Sequence, residues 1–115
     1  MTFRKISIVL GFLLLALHMQ GQQSSIYTSD LVAYQKALIL YSNQQYQAAQ
    51  SLFESIKEDA PNKTLESDCA YYVANCAVRL NQQNADDLIL DFVDNYPTST
   101  KRNTAFLDVG DFYFS

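Results

Sequence analysis

The chain has 115 residues, with 8 Lys and Arg against 12 Asp and Glu for a net charge of −4, and 13% of its residues are aromatic. That length holds one small domain with a modest core, and the scarcity of Gly (3) and Pro (2) is that of a globular chain rather than a disordered one. An acidic chain without a Lys/Arg cluster is poorly suited to collecting phosphates, which argues against nucleic acid and anionic lipid surfaces as partners.

In chain order, the first predicted element is a targeting segment. Arg4 and Lys5 precede an apolar run, Ile6 to Leu17, broken only by Ser7 and Gly11, and Gly21 follows the polar Gln20. These are the three regions of a secretory signal peptide. As a helix the run would reach roughly 18 Å, short of the roughly 30 Å of hydrocarbon that a spanning helix must cross, so no stable membrane anchor is expected after cleavage. The two cysteines are Cys69 and Cys76, so no lipid-acceptor cysteine lies near the cleavage region. Residues 1–21 are expected to be removed and 22–28 to form a short flexible lead. Losing Arg4 and Lys5 leaves 6 basic against 12 acidic residues.

From Ser29 the apolar residues fall at helical spacing. Leu31, Tyr34, Ala37, Leu38 and Tyr41 trace one stripe, predicting a helix near 30–42 with Ser29 as its cap. After the polar break 42–45, Tyr46, Ala49, Leu52, Phe53 and Ile56 predict a second helix over 46–59, ended by Pro61. Thr64 is placed to cap a third over 65–80. Ala85, Leu88, Ile89, Phe92 and Val93 mark a fourth, with Asp86 and Asp87 in its first turn, where the helix dipole favours acids, and Pro97 beyond its end. Thr98-Ser-Thr100 then opens a fifth, carrying Ala105, Phe106, Val109, Gly110 and Tyr113.

Ala49 and Ala85, Phe53 and Ile89, Ile56 and Phe92, and Pro61 and Pro97 are each separated by 36 residues. One structural unit is therefore written twice, and a unit that buries only part of its apolar face alone implies an array. At these residues the chain resembles the tetratricopeptide-repeat (TPR) family, whose second helix opens on a small residue, continues with an aromatic and ends at proline. Tyr46, Ala49, Phe53, Ile56 and Pro61 match that half in the first unit, and Ala85, Ile89, Phe92 and Pro97 match it in the second. Residues 106–113, with Gly110, resemble the first helix of a third. Ala37 and Val73 replace the first-helix glycine, Gln44 the turn glycine, and Gln82 the aromatic found at Tyr46. The 36-residue period exceeds the usual 34 of the family and resembles cell-envelope members of the outer-membrane assembly and Tol-Pal-associated type.

The resemblance implies an all-α, right-handed superhelical solenoid of antiparallel helix hairpins over 29–115, in units of about 30–62 and 65–98 and a third, apparently truncated, over 100–115. It also implies a concave groove lined by the first helix of each unit. Residues alternating with the core positions there are Tyr34, Leu38 and Tyr41, then Ala70, Ala74 and Ala77, which would give aromatic walls over a shallow floor for an apolar peptide or helix.

Catalytic and metal readings find little support. The single histidine, His18, lies in the signal peptide, leaving no imidazole for acid–base work. Asp87, Asp91 and Asp94 share a helix face, and Asp108 and Asp111 are three apart, but solvated faces account for both and the loop and glycine of a calcium-binding hand are missing. Cys69 and Cys76, seven apart, would stand roughly 10 Å apart on a helix, beyond disulfide reach. Asn62-Lys-Thr64 fits the glycosylation triplet and carries no weight alone. The expectation is a non-enzymatic scaffold without cofactor or metal, exported to the periplasm or outer envelope of a Gram-negative bacterium, that binds a protein or peptide and could self-associate. The alternatives are the substrate-recruiting arm of a longer enzyme, a glycan-uptake outer-membrane component, and a passive spacer.

Overall fold

The computed structural model of the protein describes residues 29–114, with side chains as far as Asp111; the expected signal peptide and lead lie outside the described residues. The chain divides after Val32. Of the first unit residues 29–32 are described, and they are helical. The contacts that follow belong to the second unit, Ala33–Ser115.

Among the described residues the regular elements are all α-helices, without strands. Helix α1 occupies 29–42, and is followed by α2 (Tyr46–Glu58), α3 (Lys63–Arg79), α4 (Ala85–Asn95) and α5 (Arg102–Phe114). The predicted elements therefore all form, with shifts at their ends. Ser29 already lies within helix rather than capping it. The cap of α3 is Asn62, whose Oδ1 accepts from the Leu65 amide at 2.9 Å, and not Thr64. Asparagine at the cap leaves Thr64 inside the first turn, where its carbonyl accepts from the Ser67 hydroxyl at 3.0 Å.

The ends of α1 and α3 are built alike. Gln44 has φ 62° and Asn81 has φ 54°. Beside them the Gln45 amide reaches back to the Leu40 carbonyl (2.9 Å) and the Gln44 amide to Tyr41 (3.0 Å), while Gln82 reaches Ala77 (3.0 Å) and Asn81 reaches Val78 (3.1 Å). Both are Schellman closures, which satisfy two orphan carbonyls and turn the chain sharply into the next helix. A glutamine thus holds the left-handed position that the family resemblance assigns to glycine. Past α2 and α4, the prolines Pro61 and Pro97 prevent helical continuation.

Two cores form, and α3 is common to both. The first joins Ala37 of α1 to Ala49, Phe53 and Ile56 of α2 and to Cys69, Val73 and Cys76 of α3. The second joins Ala70, Tyr71, Ala74, Ala77 and Val78 of α3 to Ala85, Ile89, Phe92 and Val93 of α4 and Ala105 of α5. Burying residues on nearly every side makes α3 the central helix, and its small side chains allow neighbours to approach closely. The 36-residue period reappears as burial: Ala37 with Val73, Ala49 with Ala85, Phe53 with Ile89, and Ile56 with Phe92 are all buried. It extends into α5, since Ala105 is buried as Cys69 is. Fully burying Phe53 or Phe92 contributes about 1.5–3 kcal/mol each, so these repeated slots supply much of the apolar driving force.

One polar contact replaces an expected aromatic slot. Gln50, buried on α2, donates from Nε2 to the Val73 carbonyl at 3.2 Å and to Gln82 Oε1 at 2.9 Å, and the Gln82 amide donates back to Gln50 Oε1 at 2.8 Å. This reciprocal amide pair fastens α2 to the turn after α3 and leaves neither amide without a partner.

Candidate functional site

Helices α1, α3 and α5, alternate helices along the chain, bring together an aromatic and polar cluster. Tyr72 of α3 lies at its centre, stacked on Phe53 with ring centroids 4.7 Å apart and planes 10° from parallel. Tyr34 and Tyr41 of α1 meet Tyr72 edge-on at 6.4 and 5.1 Å, and Tyr71 does so at 5.0 Å. Such edge-to-face pairs each add about 0.5–1.5 kcal/mol beyond the area they bury. Lys101, immediately before α5, places its ammonium 5.6 and 5.7 Å from the Tyr71 and Tyr72 ring centres, and Arg79 lies 5.9 Å over the Tyr46 ring.

A hydrogen-bonded chain runs through this cluster across all three helices. The Tyr41 hydroxyl donates to Asn75 Oδ1 at 2.8 Å, and Asn75 Nδ2 donates to Asp108 Oδ2 at 3.1 Å. The Tyr71 hydroxyl donates to the same Asp108 oxygen. Arg79 Nε approaches Asn75 Oδ1 at 3.4 Å. Asn75 is 2% exposed, so its amide depends on these partners, and among the described residues no buried side-chain polar atom lacks one. Burial raises the Tyr41 hydroxyl to about 12, against the lowering effect of the nearby Arg79 charge. It also raises Tyr71, with the bond to Asp108 acting in the same direction, and raises Tyr34. All three therefore remain neutral hydrogen-bonding groups at physiological pH.

The groove residues expected from sequence fall into two sets. Tyr34, Leu38 and Tyr41 are half-buried, each leaving part of its side chain at the surface. Ala70, Ala74 and Ala77 are buried in the second core with α4 and Ala105, so they pack the interior and do not floor an open groove. Their place in the cluster is taken by Tyr71, Asn75 and Arg79, which sequence spacing passed over. An asparagine inside a small and apolar helical run was the available signal, because a buried amide requires partners. The repeat-defining residues Ala49, Phe53, Ile56, Ala85, Ile89 and Phe92 are buried. At Gly110 an added methyl would meet nothing within 4 Å, so no close packing there calls for glycine.

Asp86, Asp87, Asp91 and Asp94 are all exposed, and among the described residues no group of three or more His, Cys, Asp and Glu could hold a metal ion. Cys69 and Cys76 are free and buried, and burial raises each thiol to about 12, the neighbouring Asp68 adding to the rise at Cys69 and Arg79 opposing it at Cys76. Both thiols are thus protonated and poor nucleophiles. Among the described residues no helix is long and apolar enough to cross a membrane. What the cluster offers is aromatic surface with fixed hydroxyl, amide and cationic groups between the rings.

No family model, curated protein or solved structure matches the chain.

Proposed function

We propose that the chain is an exported, TPR-like interaction module that binds an apolar segment of a partner protein along the face formed by α1, α3 and α5. The observation that carries this reading is the repetition of the hairpin, at 36 residues in the buried positions and with matching Schellman closures at Gln44 and Asn81, which lie 37 residues apart. Successive units of this kind build a right-handed solenoid whose first helices line one continuous face. That face carries tyrosines, which offer large contact area at low entropic cost and one polar end each. The basic and apolar start of the chain, Arg4 to Leu17, supports export to the periplasm or outer envelope.

Tyr34 and Tyr41 also pack the core, so replacing them would confuse binding with stability. Ile39 of α1 and Leu107 of α5 are 61% and 67% exposed, and they occupy the 36-residue equivalents of Asn75 and Tyr71. Leu90, 53% exposed on α4, lies off this face and serves as the control. A displayed peptide library selected against the full chain is expected to yield segments with aliphatic or aromatic anchors. Ile39→Asp and Leu107→Asp should each weaken their binding about tenfold or more, and Leu90→Asp should not. Equal losses in all three variants, or a selection that enriches no sequence, would count against the face as a receptor and favour a spacer.

A further inference from the structure

A second concavity lies between the first turns of α3 and the segment joining α4 to α5. Its volume is about 330 Å³, at the lower end of the roughly 300–1,000 Å³ spanned by small-ligand sites. Hydroxyl groups dominate its lining: Thr64, Ser67, Tyr96, Thr98, Ser99 and Thr100. Asp68 of α3 and Asn95, at the end of α4, add two planar polar side chains.

The orientation of these groups is partly fixed. The Ser67 hydroxyl gives its proton to the Thr64 carbonyl at 3.0 Å, so its oxygen remains able to accept. Ser99 Oγ accepts from the Lys101 amide at 3.2 Å, so its proton remains able to donate. The Tyr96 ring is held against Phe92, with centroids 5.8 Å apart.

The charges and surfaces exclude several ligand classes. Lys63, the single cation of the lining, is paired with Glu66 at 2.8 Å, so an anion finds no uncommitted positive charge. Asp68 is the single carboxylate of the lining, too few oxygens of that kind for a hard cation. An apolar ligand would meet Pro97, the threonine methyls and one tyrosine ring, but would strip water from the hydroxyls set among them. What remains is a small neutral molecule that both donates and accepts hydrogen bonds around its edge and presents one C–H face to an aromatic ring. We infer that this cavity binds a saccharide unit, with Asp68 and Asn95 taking neighbouring hydroxyls and the Tyr96 ring lying against the sugar face. The inference is independent of peptide binding at the tyrosine face.

The test is a titration of the isotope-labelled full chain, followed by amide NMR shifts, with glucose, galactose and N-acetylglucosamine added singly. Inorganic phosphate and calcium chloride are titrated in parallel. At least one sugar is expected to shift the amides of residues 63–68 and 95–100 saturably. Asp68→Ala and Asn95→Ala should each weaken that binding about tenfold, as loss of a hydrogen bond to a charged or well-placed polar group implies. Thr98→Val, in the exposed segment, provides a third variant should Asp68→Ala loosen α3. Absence of saturable shifts with every sugar, a response to phosphate or calcium alone, or sugar shifts unchanged in the three variants would each overturn the assignment.

Discussion

Replacing Asn75 by Asp tests the chain of hydrogen bonds that ties α1, α3 and α5 together. The amide nitrogen that now donates to Asp108 Oδ2 at 3.1 Å becomes an oxygen. Two carboxylates about 4 Å apart repel by about 4 kcal/mol at an effective dielectric of about 20. Asp108 is half-exposed, which screens part of this, and one donated hydrogen bond worth about 1 kcal/mol is lost as well. Asn75→Asp should therefore lower stability by about 3 kcal/mol at neutral pH. The new carboxyl has a pKa raised above its unfolded value of about 3.9 by its like-charged neighbour and its burial, so the folded state binds the extra proton more tightly. Stability relative to the parent is thus preserved below about pH 4 and lost as pH rises through the raised value. Urea unfolding followed by far-ultraviolet circular dichroism, at about pH 4 and about pH 7, measures both parts. A loss of equal size at the two pH values, or one under about 1 kcal/mol at neutrality, would mean that residues 75 and 108 are not in contact. Asn75→Ala is the companion variant and should lose about 2 kcal/mol with little pH dependence.

Three other predictions concern the turns, the core and alkaline pH. Gln44→Gly should raise stability by up to about 1 kcal/mol, because φ 62° is unfavourable for glutamine, whereas Asn81→Gly should change it by only a few tenths, since asparagine tolerates φ 54°; thermal melts of the two variants decide this. Phe53→Ala should cost about 3–5 kcal/mol and Ala49→Leu about 1–3 kcal/mol or more, in urea titrations, as both side chains are fully buried. The thiols of Cys69 and Cys76, raised by burial to about 12, should react with a disulfide reagent only as fast as the chain opens, and urea should accelerate the reaction. Because folded Cys69, Cys76 and Tyr41 hold their protons to about 12, the folded state binds more protons than the unfolded one above about pH 9. Stability should therefore fall as pH rises through that window and be insensitive to these groups below it, and a melting series in alkaline buffers checks the sign.

The helices were legible because their apolar residues recur at three and four positions, and a buried face leaves that imprint whatever covers it. Their ends were less so. Asn62 and Thr64 are both competent caps, and choosing between them depends on which amide each can reach. Nothing in Ser42-Asn-Gln-Gln45 announces a left-handed glutamine, since tertiary packing of α1 on α2 imposes the turn on a residue that would not choose it. The groove residues divided for a related reason. Spacing puts Ala70, Ala74 and Ala77 on one face of α3, but only the packing of α4 and α5 decides that this face is covered. The Asn75 and Asp108 pairing spans 33 residues and two loops, and no local pattern encodes it.

The sharing of α3 between both cores has a consequence for cooperativity. In a one-dimensional array of repeats, stability divides into what each hairpin holds alone and what its junction with the next supplies. Here the helix that completes the first hairpin's core is also the framework of the second, so the junction term dominates and neither hairpin is a separate foldon. Amide hydrogen exchange in α3 should accordingly occur only through global opening, while α5, packed on one side, exchanges through local fraying.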